Sequence, residues 1–447
     1  MEIIALLQCL TPVLSVTTIR QFHHIIFGLV AMTGRVTMLG ISRWAGQGGS
    51  YRTVRRWFST TIPWLQVFVL FFRQHLFRAN QVYLLAGDEV VVTKAGNQTF
   101  GLDRFFSGVL QKMVPGLSFF ALALVSPADH CAFPLNVEQT VRTVEEKAAA
   151  QAKRQAKQAA PVARKPGRPK GSKNKNKAEV SLTPELQHIQ AMIQAVLRLI
   201  ADWLPLTYLA LDDHFGNHHA LQMVRQCGLH LISKLRSDAA LYVPYVRMPA
   251  ERPSRRKYGT HVDYRNIPDQ YLKQTTVEKD IETRIYQATL LHREFAQPLN
   301  VVMLVKTNLR TQARAHVILF SSDLILTWDK VIEYYSLRFQ IEFNFRDAKQ
   351  YWGLEDFMNI SETPVTNAAN LSLFMVNLSE CLRRQVRPDQ AKFSVLDLKA
   401  YYRGTKYVTE TLKMLPQKTN PNLFAQIMHR MADLGSIHPA VVSAASA

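Results

Sequence analysis

Two aspartates in this 447-residue chain stand where folding alone would not place a charge. Asp88 interrupts the apolar run Val82-Tyr-Leu-Leu-Ala-Gly-Asp-Glu-Val-Val-Val92, and Asp212 ends the run Tyr208-Leu-Ala-Leu-Asp. A carboxylate in a buried strand must be paired, hydrogen-bonded or bound to a metal. Taken singly, a strand-end Asp is more often a cap or a turn former. A third acid, Glu342, lies in Tyr335-Ser-Leu-Arg338-Phe-Gln-Ile-Glu342-Phe-Asn-Phe-Arg-Asp-Ala-Lys349. Tyr335, Arg338, Glu342 and Lys349 have offsets 0, 3, 7 and 14. On one continuous helix, at about 100° per residue, they fall within an arc of roughly 60°. An i,i+4 surface pair accounts for Arg338 and Glu342, but not for Tyr335 and Lys349 on the same line. Three carboxylates brought together form a donor set that suits Mg²⁺, which binds through a few carboxylates plus water and phosphate oxygens.

The elements that must carry these residues can be read from the pattern around them. Val82–Val92, Phe100–Phe106 and Leu117–Val125 read as strands, with Gly96-Asn97 as a hairpin-type turn between the first two. Leu182–Trp203 has helical spacing and Tyr208–Leu211 is a short strand. Residues 240–325 alternate as strands, notably Tyr286–Leu291, Val301–Val305 and His316–Phe320. Thr327 to about Trp352 reads as one amphipathic helix, with Leu337, Ile341 and Phe345 as its apolar stripe. Residues 1–80 read as helical, broken at Pro12, Gly34 and Gly46–Gly49. Ser50 is placed to cap a helix over Tyr51–Phe58, which would turn Val54 and Trp57 or Phe58 inward and Arg52, Arg55 and Arg56 outward. Residues 386–447 read as helical.

Charge narrows the class of partner. The chain carries a net charge of +20, which favours a polyanion. Residues 1–80 hold eight arginines, no lysine and one acid, Glu2, and residues 147–178 hold eleven Lys/Arg and no acid. These two regions contribute +7 and +11 and leave only +2 for the rest. The most apolar N-terminal run, Trp64–Phe72, is far short of the roughly 20 residues that span a bilayer, so nucleic acid is favoured over membrane. Cys9, Cys131, Cys227 and Cys381 stand apart with no CxxC pair, which argues against a disulfide framework or zinc knuckle and fits a reducing cytoplasm. Residues 147–178 have almost nothing to bury and read as a disordered or weakly helical basic linker. Arg168 and Lys170, in Gly167-Arg-Pro-Lys, resemble an AT-hook, and plain phosphate attraction explains the run as well.

Tyr335, Arg338, Glu342 and Lys349 meet in full the Tyr-x2-Arg-x3-Glu-x6-Lys signature of a group of DDE transposases from bacterial insertion sequences, and the chain resembles that group. Its first-aspartate motif is matched by Asp88, Lys94, Gly96, Gly101, Arg104 and Phe105, and its second by Asp212 and Phe215. The likeness runs from about residue 81 to 357, the basic linker excepted. Val90 departs from the Thr or Ser common two residues after the first Asp, and Asp213 adds a second acid beside Asp212. The resemblance implies an α/β, RNase H-like catalytic core that gathers Asp88, Asp212 and Glu342 as catalytic residues and metal ligands. The metal would be Mg²⁺, with Mn²⁺ as substitute. Tyr335, Arg338 and Lys349 would contact DNA beside the metals, and Arg52, Arg55, Arg56, Arg168 and Lys170 would contact it elsewhere. It further implies that terminal inverted repeats and target duplex are the substrates and that a homodimer acts in a bacterial cytoplasm, at the nucleoid. The expected organisation is a helical DNA-binding domain (1–80), catalytic segments (81–146, 179–230 and 326–385), the basic linker (147–178), a β-rich insertion (231–325) and a C-terminal helical region (386–447). A DNA-binding regulator would explain the basic regions but not three acids in matching motifs. An inactive transposase descendant and an RNase H-like nuclease without strand transfer stay open.

Overall fold

The computed structural model describes residues 3–108, 110–143, 145–148, 151–152, 155, 180–246, 256–387, 392–414 and 420–433. Five helices come first: α1 (Ile3–Leu7), α2 (Val16–Ala31), α3 (Met38–Trp44), α4 (Tyr51–Phe58) and α5 (Trp64–His75). Strands β1 (Leu84–Thr93), β2 (Asp103–Ser107), β3 (Lys112–Ser126) and β4 (Cys131–Gln139) follow, then α6 (Pro184–Ile200), β5 (Tyr208–Ala210), α7 (His218–Gln226) and β6 (His230–Leu235). A run of strands comes next: β7 (Leu241–Pro244), β8 (Tyr258–His261), β9 (Leu272–Glu278), β10 (Ile281–His292), β11 (Leu299–Asn308) and β12 (Arg314–Ser321). Helices α8 (Trp328–Leu337), α9 (Gln340–Tyr351), α10 (Glu362–Val386), α11 (Val395–Lys413) and α12 (Pro421–Asp433) complete the described chain.

All twelve described strands join one mixed sheet. One end runs β4 and β2 beside β3, then β1, β5 and β6, with β1–β3 antiparallel and β1–β5 and β5–β6 parallel. The antiparallel succession β4, β3, β1 followed by the parallel β5 and β6 is consistent with an RNase H-like nuclease fold. From β6 the sheet continues antiparallel through β12, β11 and β10. The β-rich region therefore extends the same sheet. β6 lies inside the stretch expected as insertion from residue 231, yet it pairs in parallel with β5.

Two local expectations are corrected. β1 and β2 do not form a hairpin. β3, fifteen residues long, pairs with β1 from Leu84↔Val125 to Thr93↔Gly116, and β2 pairs with the start of β3. Leu117–Val125 is buried throughout, so a central place for β3 removes more apolar surface from water than a two-strand hairpin would. The expected single helix 327–352 is also two helices. Phe339 N–H donates to Ser336 O (3.2 Å), Ile341 N–H to Arg338 O and Glu342 N–H to Phe339 O (both 3.0 Å). This is the three-residue spacing of a tightened turn. The turn keeps Leu337 and Ile341 buried, directs Arg338 towards the sheet and leaves Phe339 exposed.

The N-terminal helices share a core with α10. Phe22, Trp64, Phe68 and Phe71 surround Phe374 of α10, with ring centroids 4.9–6.2 Å away. α10 also stitches polar backbone that the sheet leaves open. Asn367 Nδ2 donates to Phe58 O and Thr60 O (both 2.8 Å) while its Oδ1 accepts from Trp64 Nε1 (2.8 Å). Asn370 and Asn377 donate to Val137 O (3.2 Å) and Pro134 O (2.8 Å) on β4. β4 pairs with β3 alone among the described strands, so these side chains replace a missing neighbour strand.

Candidate functional site

The chain reaches its first acid through Gly87. A Cβ there would lie 2.8 Å from Phe120 Cζ and 2.9 Å from Leu211 Cδ2, so a larger residue would have to push those side-chain ends aside where β1 and the end of β5 meet beside Asp88. Asp88 follows in β1, with its Oδ1 accepting from Glu89 N–H (2.8 Å). Asp212 directly follows β5. Leu211 N–H donates to Ile232 O (3.0 Å) and Ser233 Oγ donates to Asp212 O (2.6 Å), so β6 fixes the backbone of the second acid. Glu342 stands in the first turn of α9.

Arg338 joins the strand acid to the helix acid. Its Nη1 lies 2.8 Å from Asp88 Oδ2 and its Nη2 3.2 Å from Glu342 Oε1. The Arg338 and Asp88 side chains are 11% and 17% exposed, whereas Glu342 is 40% exposed. The bridge is thus buried on the sheet side and open on the helix side. Burial raises the Asp88 carboxyl to about 6, against the pull of Arg338 and of the Glu89 N–H, and with the repulsion of Asp212 and Glu342 adding to it. Burial likewise raises Asp212, while Arg338 and His214 oppose and Asp213 reinforces the shift. For Arg338 burial works against the charge, yet the carboxylates, Asp88 foremost, hold its pKa above the usual value.

Tyr335 lies beside this bridge, with the Arg338 guanidinium carbon 5.9 Å from its ring centre. Lys349 is engaged elsewhere: its Nζ donates to Val91 O (3.0 Å) on β1 and pairs with Glu355 (2.9 Å). Lys94 is also a tie, donating to Glu355 O (3.2 Å) and Phe357 O (2.8 Å). Arg52, Arg55 and Arg56 are exposed on α4, with Val54, Trp57 and Phe58 buried behind them and Ser50 Oγ accepting from Thr53 N–H. Arg168 and Lys170 lie outside the described residues. Phe215 is buried against Phe120 (6.0 Å). Asp213 points to Lys234 of β6 (3.5 Å), and its side chain is 60% exposed.

Several neighbours of the acids escape a reading of motifs. His214, directly after Asp212 and Asp213, pairs with Glu185 of α6 (3.6 Å), which raises its pKa. Ser233 and Lys234 reach the site because β6 lies beside β5, and only the strand order reveals that. Glu89, next to Asp88, accepts from Ser118 Oγ of β3.

Among the described residues no three His, Cys, Asp or Glu side chains stand ready to enclose an ion. Between Asp88 and Glu342 the position of a cation is taken by the Arg338 guanidinium. The donor set nevertheless fits a divalent ion. Asp212 Oδ1 is buried with no hydrogen-bond partner among the described residues, and an orphaned carboxylate oxygen beside a second, desolvated carboxylate calls for a cation.

One acid within β1, a second just after the neighbouring parallel strand β5 and a third on a helix form an arrangement consistent with a metal-dependent, carboxylate-type nuclease. A family model for DDE superfamily endonucleases matches residues 6–298, and the chain belongs to that family. The match includes Asp88 and Asp212 and ends before Glu342. DNA is the substrate the family implies, with divalent metal ions as its cofactors. No curated protein matches the chain. No described helix is long and apolar enough to cross a membrane.

Proposed function

We propose that the protein is a transposase that binds the ends of a mobile DNA element, cuts them and joins them to a target. The observation that carries this reading is the single guanidinium joining Asp88 to Glu342, with Asp212 at the end of the neighbouring parallel strand. Asp88, Asp212 and Glu342 would hold the metal, Mg²⁺ by choice and Mn²⁺ in substitution. When bound, divalent ions activate the attacking oxygen and stabilise the leaving oxygen of an in-line phosphodiester displacement.

The chain's own groups supply position and charge. Ser233 and the β5–β6 pairing fix the Asp212 backbone, so that carboxylate costs little reorganisation when it acts. Arg338 offers a fork of N–H donors that matches phosphate geometry. Tyr335 beside it would meet the DNA end. Arg52, Arg55 and Arg56 form an exposed cationic face suited to duplex backbone, and the basic segment 147–178 adds charge. Two copies would act together on paired ends.

The test is incubation of the full chain with a duplex carrying the DNA that flanks its reading frame, a target plasmid and Mg²⁺. Cleavage at the element boundary and joined products are expected. Cleavage without joining would leave a nuclease that lacks strand transfer. Binding without either product, in protein that melts normally, would leave an inactive descendant.

A further inference from the structure

We propose that Arg338 is an exchangeable internal cation: its guanidinium occupies the place between Asp88 and Glu342 until a divalent ion takes those carboxylates, which frees the guanidinium for a DNA phosphate. This rests on the carboxylates being the metal ligands, and it adds that the chain carries a competitor for its own cofactor. The contacts on both sides are charge-assisted, 2.8 Å to Asp88 and 3.2 Å to Glu342. Arg338 Nε is buried without a hydrogen-bond partner among the described residues. Two of the guanidinium nitrogens are therefore spent on acids and the third is unsatisfied, so the bridge is less than ideal even before an ion arrives.

The position along the chain makes exchange feasible. Arg338 lies in the tightened turn between α8 and α9, where Phe339, Ile341 and Glu342 bond three residues back. Its side chain is not embedded in a continuous helix face. The Glu342 end of the bridge is the more open one, so an ion can approach from solvent and displace Nη2 before Nη1. A resting bridge also spares the free protein two uncompensated carboxylates in a partly desolvated site, a placement that repulsion penalises. Binding of ion and of phosphate should then be coupled. The ion releases the cation that the phosphate needs, and the phosphate draws away the cation that blocks the ion.

The experiment is Mn²⁺ titration of the full chain without DNA, read by electron paramagnetic resonance of free Mn²⁺. Wild type is compared with Arg338→Gln, Arg338→Lys and Asp88→Asn, and each variant is checked by a thermal melt. Arg338→Gln should bind Mn²⁺ tighter than wild type by about tenfold, the scale of a typical coupling, with Arg338→Lys between the two. Unchanged or weaker binding by both Arg338 variants, with binding lost in Asp88→Asn, would overturn the exchange and leave the metal site standing. Asp88→Asn binding like wild type would overturn both. If Arg338→Gln fails to fold, Arg338→Lys decides alone, and an affinity no higher than wild type counts against the proposal.

Discussion

Asp88 holds its carboxyl beside Arg338, largely out of water. Its carboxyl titrates near 6 because burial outweighs the pull of Arg338 and the Glu89 N–H. Between about pH 4 and 6 the folded chain therefore holds a proton that the unfolded chain releases. For an acid raised in this way stability falls as pH rises through that window, the reverse of a salt-bridged Asp with a depressed pKa. Metal-free Asp88→Asn should melt higher than wild type at pH 7.5, by an amount on the order of 2 kcal/mol, and the gap should close towards pH 4. A lower melting point for the variant, or a gap that ignores pH, would show that the Arg338 contact dominates instead. The same variant should lose cleavage while keeping DNA binding, and so should Asp212→Asn and Glu342→Gln. Asp213→Asn should keep activity, since that side chain faces Lys234 and solvent; an inactive Asp213 variant beside an active Asp212 variant would reverse the choice within the pair. As candidates, Asp88 and Asp212 stand out in the sequence because a charge in an apolar run is a local anomaly. Glu342 was legible through spacing, although the spacing assumed one helix where a turn intervenes. Ser233, Lys234 and His214 were not legible, since nothing in their own neighbourhoods announces which strand lies beside them.

At the scale of elements the difference between local and distant information repeats. The cap at Ser50, the buried Val54 and Trp57 behind three exposed arginines, and the helix over residues 184–200 each follow from a few neighbouring residues. The pairing of β1 with β3 does not, because it is decided by how much apolar surface a long central strand covers. Nor does the union of α2, α4 and α5 with α10, which depends on side chains some three hundred positions apart. Asn367 carries much of that union. Removing it leaves Phe58 O, Thr60 O and Trp64 Nε1 without the partner they share. Each buried polar group left unsatisfied costs about 1–3 kcal/mol, so Asn367→Ala should destabilise by about 3 kcal/mol. Asn367→Asp should fare little better, since an ionised carboxylate has no donor for the two carbonyls. Chemical denaturation followed by tryptophan fluorescence measures both. A loss below about 1 kcal/mol would mean that water replaces the side chain and that the aromatic packing around Phe374 holds the helices by itself. Gly353 marks a second joint. At φ +83° it turns the chain after α9, and a Cβ there would lie 2.5 Å from Val36 Cβ, which leaves no room for a larger residue between the N-terminal helices and the helix that bears Glu342.

For the whole molecule the question is where a net charge of +20 meets a polyanion. Two sources are separable. The α4 arginines form a fixed exposed face whose helix is packed on the core through Trp57, whereas the eleven Lys/Arg of residues 147–178 lie mostly beyond the described residues, in a segment that joins β4 to α6. Both should add affinity through counterion release, whose signature is the slope of log K against log salt, about −0.9 per phosphate neutralised on duplex DNA. Replacing Arg52, Arg55 and Arg56 by Gln should lessen the slope by no more than about 3. Replacing the eleven basic residues by Gln and Ser should lessen it further and weaken binding to random and end-containing duplexes alike. If the fixed face positions DNA, the α4 variant should lose preference for end DNA as well as affinity, because a helix packed on the core holds its arginines in register with the acids. Neutralising charge in residues 147–178, whose composition offers almost nothing to bury, should weaken binding to every duplex alike. The measurement is fluorescence anisotropy of end and random duplexes across a salt series, with thermal melts to show that both variants fold. Loss of end preference on neutralising 147–178, with preference kept in the α4 variant, would exchange the two roles and move sequence recognition to the Arg168–Lys170 stretch. Competition by a ligand of the A·T minor groove would then separate recognition of groove shape from plain charge, since a cation bound only to phosphate is indifferent to what fills the groove.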